Sequence, residues 1–181
     1  MRRYIRNYVP GGTFFFTVVT YERRRFLTDP LARQSLREAL RHVRGKWPFE
    51  VVAIVVLPDH FHTVWTMPQG DADYSLRMQK IKEVFTKKYL SSGGLAAMPT
   101  ASEADHGQRG VWQPRFWEHT VRSHDDLKGC ADYVHWNPVK HGLVRRVIDY
   151  PWSSFHRYVR LGEYAGDWGA YDPCPEIEMP E

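Results

Sequence analysis

The chain has 181 residues, 43% of them hydrophobic and 14% aromatic, with 25 Lys and Arg against 21 Asp and Glu for a net charge of +4. That is enough apolar material for the core of one ordinary domain. It contains no apolar run of the ~18 residues a spanning helix needs, no apolar stretch after MRRYIRNYVPGG suited to a signal peptide, and no CxxC pair, so neither a membrane span nor a structural zinc site built on thiolates is expected.

The expectation is a cytoplasmic protein with reduced thiols. The positive charge is concentrated early: Arg2, Arg3, Arg6, Arg23, Arg24, Arg25, Arg33, Arg37, Arg41, Arg44 and Lys46 all precede residue 50, whereas Asp172, Glu176, Glu178 and Glu181 close the chain. A basic N-terminal half fits a polyanionic partner, and it equally fits a soluble protein rich in surface arginine.

In chain order, TFFFTVVT (13–20) is β-branched and aromatic throughout and reads as a central strand. Residues 31–47 repeat Leu36, Leu40, Val43 and Trp47 at helical spacing, and Pro48 stops that helix. Residues 49–57 and 60–67 read as strands of an antiparallel hairpin turned by Pro58-Asp59. Residues 75–90 form a second helix with a Met78, Ile81, Phe85, Tyr89 stripe and a basic side of Arg77, Lys80, Lys87 and Lys88. Residues 91–110 are rich in Gly, Ser and Ala and read as a mobile insertion. A fourth strand covers 116–122. Ser123 caps a third helix whose apolar face is Leu127, Cys130, Ala131 and Val134, and Asn137-Pro138 is expected to end it.

The order β-α-β-β-α-β-α implies an α+β class, a ferredoxin-like sandwich with a mainly antiparallel sheet and helices on one face. Residues 1–150 form the domain and 151–181 an irregular C-terminal extension packed on it.

LPDHFHTVW (57–65) carries the chemistry. Strand side chains alternate, so His60 and His62 project to one face and can share a metal ion. A lone HxH is also how a hydrogen-bonded pair of histidines reads. A cupin site would want a Glu soon after, but TVWTMPQG follows. A histidine-triad hydrolase would want His at position 64, which is Val. An amidohydrolase barrel needs about 250 residues. A metal site in a small α+β fold remains, completed from elsewhere in the chain.

DYVHWNPVKHGLV (132–144) supplies candidates. Tyr133 and Asn137 are four apart on one helical face. A phenol, weak at its ordinary pKa of ~10, can act as nucleophile on a phosphodiester polarised by a divalent cation, and the Asn137 amide could complete the metal shell. Ordinary roles as a half-buried tyrosine and a helix C-cap are equally open on spacing alone.

Taken together, RRYIRNYVPGGTFFFTV, VVLPDHFHTVWTMP, IKEVFTKKY, VWQPRFWEHTVR, DYVHWNPVKHGLV and YPWSSFHRYV resemble the single-tyrosine HUH transposases, most closely the REP-associated tyrosine transposases of bacteria. The resemblance spans most of the chain, and only the 91–110 insertion departs from it. It implies an HUH-nuclease fold, Mg²⁺ or Mn²⁺ held by His60 and His62, and attack by Tyr133 that leaves a 5′-phosphotyrosine link and a free 3′-hydroxyl. It puts Asn137 where related transposases place a third polar ligand, although Asn is shorter than the Gln of some relatives. His119 and His135, near the motifs, become accessory substrate or proton-handling groups, with structural roles as the alternative.

The implied substrates are single-stranded DNA hairpins from repetitive extragenic palindromes. Arg2, Arg3, Arg6, Lys80, Lys87 and Arg115 are the candidate DNA-binding cations, and the arginines of RRYIRNY and WQPRFW interleave with rings that can stack bases. A monomer is expected, since the C-terminal extension can hold the tyrosine helix on its own body. The rivals are a hairpin binder that does not cut and a phosphodiesterase in which water replaces Tyr133.

Overall fold

The computed structural model describes residues 7–170. Four strands, β1 (Thr13–Val19), β2 (Glu50–Val56), β3 (His60–Thr66) and β4 (Trp117–Thr120), form one sheet in the order β2-β3-β1-β4, with every pair antiparallel. The expected α+β ferredoxin-like order is therefore present. Both inner strands are almost wholly buried.

Helices α1 (Pro30–Lys46) and α2 (Tyr74–Ser91) pack together on one face. Leu36, Ala39 and Val43 of α1, with Met78, Ile81 and Phe85 of α2, cover Phe14, Phe16, Val18, Phe61 and Trp65 of the sheet. Each fully buried large side chain of this layer contributes about 1.5–3 kcal/mol. Trp112 joins it beside Phe61 and Phe85.

Two expectations need correction. Helices cover both faces of the sheet, not one: α4 (His124–Lys140) lies on the reverse side, where Cys130, Ala131, Tyr133 and Val134 meet Phe15, Ala53, Val55 and Val64. Burial on both faces is why β1 is nearly continuous in apolar residues, and it also buries the polar His60, His62 and Thr63 of β3. Pro138 also does not end α4. Loss of one N–H near a C-terminus is tolerable, and the helix continues for another turn before Gly142, at φ 65°, closes it. Gly142 N–H donates to the Val139 carbonyl and Leu143 N–H to the Pro138 carbonyl, both at 2.9 Å, the double closure of a Schellman end.

The 91–110 segment carries a short helix, α3 (Ala101–Asp105), with a complete capping box from Thr100 and Glu103. Tyr21 donates to Glu103 at 2.8 Å and Arg24 to the Leu95 carbonyl at 3.0 Å, so the segment is tied to the chain after β1.

Beyond α4, helix α5 (Phe155–Arg160) and the residues after it pack on α4 through Phe155, Tyr164, Trp168 and Trp136. Tyr164 donates to Asp132, next to Tyr133. Residues 152–154 also cover the open edge of β2, where Val56 N–H reaches the Trp152 carbonyl and Ser154 N–H the Ile54 carbonyl. His135 is sealed in this layer, with Nε2 3.0 Å from Ser154 Oγ. Burial, followed by the charge of Arg157, pushes its pKa down to about 3.

Below about pH 6.5 the unfolded chain takes up a proton at this position and the folded chain does not. Stability is thus full above 6.5 and falls as the pH drops toward 3, by about 1.4 kcal/mol per unit from this group. His135→Gln should flatten the acid limb of urea-unfolding stability by about 2 kcal/mol between pH 6.5 and 4.5. Identical slopes in the two proteins would refute it.

Candidate active site

The side chains that meet between β3 and α4 follow from two periodicities. On β3, His60, His62 and Val64 alternate toward α4, whereas Phe61 and Trp65 point into the opposite layer. On α4, Tyr133 and Asn137 are one turn apart, and His141, the C-cap, is one turn further. The Tyr133 ring stands 5.4 Å from His62, and His141 stands 5.2 Å from His60. Asn137, midway between Tyr133 and His141, therefore faces the histidine pair.

The pair itself is tightly held. The two rings are 4.8 Å apart and nearly perpendicular, and both residues are essentially inaccessible to solvent. His60 Nδ1 donates to Asp59 Oδ1 at 2.8 Å, and Arg23 donates to the other oxygen at 3.2 Å. Burial alone would raise the Asp59 carboxyl. The hydrogen bond and charge of His60, aided by Arg23, outweigh burial and hold it down at about 2. His62 Nδ1 is 3.0 Å from Thr17 Oγ1, its cross-strand neighbour on β1. Burial first, then the charges of His60, His141 and Lys140, keep His62 well below the usual imidazole range, so it remains a neutral donor.

The outward atoms have nothing to bond. Among the described residues, His60 Nε2, His62 Nε2, Asn137 Oδ1 and Asn137 Nδ2 are buried without a hydrogen-bond partner. Each such atom costs about 1–3 kcal/mol, in a protein class whose whole stability is about 5–15 kcal/mol. Two imidazole nitrogens and an amide oxygen buried without partners, with the far nitrogens of the rings held by Asp59 and Thr17, are the donor types that suit an N/O-ligated divalent cation. Asn137 is accordingly no C-cap; it is fully buried inside the helix.

Lys140 and His141 belong to this site and were not among the sequence candidates. Lys140 Nζ donates to the Tyr133 hydroxyl at 3.1 Å and lies 4.9 Å over its ring. The signal was their spacing, seven and eight residues after Tyr133, which reading Pro138 as a stop concealed.

The remaining candidates lie elsewhere. His135 is on the far side of α4 among Phe155, Tyr158 and Tyr164. His119 on β4 makes two 3.0 Å contacts to the Asp126 carboxylate, and Cys130 completes a group whose ligand atoms lie within 4.8 Å of one another. That group is internally satisfied. Burial, then the charge and hydrogen bond of Asp126, push the Cys130 thiol up to about 12, while the thiol donates to Asp126.

The basic side of α2 is largely neutralised. Lys80 pairs with Glu83, Lys88 with Glu38, and Arg77, contrary to expectation, is buried against Asp71. Lys87 and Arg115 are exposed. Lys87 lines a groove of about 1260 Å³ between α2 and residues 106–116, on the sheet face away from the histidines. Arg2, Arg3 and Arg6 lie outside the described residues.

The family described as "Transposase IS200 like" matches residues 11–137. A REP-associated tyrosine transposase of Escherichia coli (strain K12) is 44% identical over 169 residues, spanning 93% of this chain and 91% of that protein. A Haemophilus influenzae protein provisionally given the same name is 39% identical over 170 residues, spanning 93% and 94%. A solved REP-associated tyrosine transposase bound to a REP hairpin superposes with a TM-score of 0.78 at 40% identity, covering both chains in full.

Proposed function

The chain belongs to the IS200-like transposases, enzymes of the HUH nuclease type, and from that premise we propose that it cuts and rejoins single-stranded DNA at REP hairpins through a covalent bond to Tyr133. The observation that carries this reading is the Tyr133 ring 5.4 Å from His62, beside two imidazole nitrogens and an amide that lack partners. His60 and His62, with Asn137, would hold the divalent cation the family implies, Mg²⁺ or Mn²⁺ for such a nitrogen and oxygen donor set. When bound, that cation polarises the phosphodiester and stabilises charge on the leaving oxygen.

The chain's own residues do the rest. Asp59 and Thr17 fix the histidine rings, and α4 holds Tyr133 against them. The phenol oxygen bonds to phosphorus while the bond from phosphorus to O3′ breaks, leaving a 5′-phosphotyrosine and a free 3′-hydroxyl. The contact of Tyr133 with His62 of the same chain, and the brace that Tyr164 gives α4 from the extension, support a monomer as the working unit.

A 3′-labelled strand bearing a REP hairpin tests the proposal, because the label stays with the protein. A labelled band at protein mass on a denaturing gel is the expected result. Binding without the band would identify a hairpin binder, and cleavage without it a phosphodiesterase using water.

Substrate form follows from the same reading. A strand must bend over the site with its bases free, so a fully paired duplex should be cut at least about tenfold more slowly. Affinity for the hairpin should fall with salt as phosphate contacts release counterions. Replacing Arg2, Arg3 and Arg6 together by Ala should weaken binding and reduce that salt slope while leaving cleavage at saturating DNA unchanged. Unaltered affinity and slope would remove the N-terminal arm from the interface.

A further inference from the structure

We propose that Lys140 is a further catalytic residue, whose ammonium carries the charge on the Tyr133 oxygen as that oxygen attacks phosphorus and as it later leaves. The proposal rests on the reading of Tyr133 given above. Its basis is the contact itself: Lys140 Nζ donates to the reacting oxygen at 3.1 Å. The two residues are seven apart, two helical turns, so they lie on one stripe of α4 together with Asn137. This placement exists only because α4 runs through Pro138 to Lys140. The C-terminal end of a helix also favours a cation there.

An ammonium has donors and no acceptor, so Lys140 is not the base. In cutting, the phenolic proton passes to water, the tyrosyl oxygen bonds to phosphorus, and the bond from phosphorus to O3′ breaks. O3′ then takes a proton from water. Rejoining reverses each change: the 3′-hydroxyl loses its proton, its oxygen attacks phosphorus, and Tyr133 departs as phenoxide and is reprotonated. Negative charge sits on the same oxygen in both directions, beside the same ammonium. A donor aimed at an oxygen that carries charge in the transition state is worth about 10²–10³-fold in rate.

That symmetry separates catalysis from docking. A lysine that only held a phosphate would change affinity. A lysine that stabilises the tyrosyl oxygen changes both rates by one factor and leaves the equilibrium adduct fraction nearly alone. Lys140 is exposed, so its replacement should not disturb the core.

The test uses the full chain with Lys140→Met and Lys140→Arg, a saturating 3′-labelled REP-hairpin strand and Mn²⁺. Single-turnover adduct formation is measured, and then rejoining on addition of a strand ending in a 3′-hydroxyl. Lys140→Met should slow both by about 10²-fold, with hairpin affinity changed much less. Lys140→Arg, which keeps the cation, should recover at least about tenfold of the loss. Wild-type single-turnover rates in Lys140→Met, a defect confined to hairpin affinity, or slowing of one direction alone would each overturn the role. If wild type itself forms no adduct, the covalent reading fails first and this one with it. An adduct in wild type with unchanged rates in Lys140→Met sinks only the lysine.

Discussion

Tyr133→Phe is expected to form no covalent adduct with the hairpin strand and to cut at background rate. The change removes one oxygen, the only atom of that side chain able to attack phosphorus. The ring remains, with its edge contacts to Phe15 at 5.8 Å and His62 at 5.4 Å, so the layer beneath α4 should keep its packing. The hydroxyl's hydrogen bond with Lys140 is lost, a charge-assisted contact worth about 1.5–3 kcal/mol at most and less where the lysine is solvated. The variant should therefore fold and bind the hairpin with nearly wild-type affinity. A denaturing gel with a 3′-labelled strand, beside a binding isotherm, checks both halves. An adduct at wild-type level from Tyr133→Phe would show that another residue is the nucleophile.

The sheet was legible because its strands are chemically blunt. TFFFTVV and HFHTVWT are β-branched and aromatic along their whole length, and Pro58-Asp59 marks the turn before β3. The same bluntness held an unused signal. A strand with one wet face alternates, and TFFFTVV does not, so cover on both faces was written in β1. Assigning the helices to one face followed from the layer rule for antiparallel sheets. The rule gave way because the apolar stripe of α4 must be buried somewhere, and α1 with α2 already fill the other side.

The site was legible where side-chain chemistry is peculiar and illegible where backbone geometry decides. Two histidines on alternate positions of a buried strand need a reason, and so does a tyrosine one turn before a buried asparagine. Lys140 and His141 went unseen because Asn-Pro is a strong stop signal. Pro138 sits so near the helix end, however, that Gly142 rather than the proline closes α4. The local rule was sound but applied one turn too early. Arg77 shows the reverse error. It occupies a helical position like those of its basic neighbours, yet Asp71 and the carbonyls of Trp47, Pro48 and Asp73 draw it into the core, partners that helical periodicity does not reveal.

Removal of the metal, or of either histidine, should abolish cleavage. EDTA, His60→Ala and His62→Ala are each expected to reduce adduct formation to background, since two-point imidazole binding is lost with either ring. Activity alone would not locate the ion, because the His119, Asp126 and Cys130 group is also close enough to bind one. Thermal stability separates the two sites. A cation at 100 times its dissociation constant stabilises the fold by about 2.7 kcal/mol. Mn²⁺ should raise the Tm of wild type and of Cys130→Ala alike, and should not raise that of His62→Ala. Asn137→Leu is the sharper probe. It removes two buried atoms that have no partner, so the metal-free protein should lose little stability or gain some, while the Mn²⁺-induced shift should shrink. A purely structural Asn137 would give the opposite pattern, a lower Tm without metal and an undiminished shift with it. Undiminished cleavage after exhaustive EDTA treatment would defeat the metal assignment regardless of the variants.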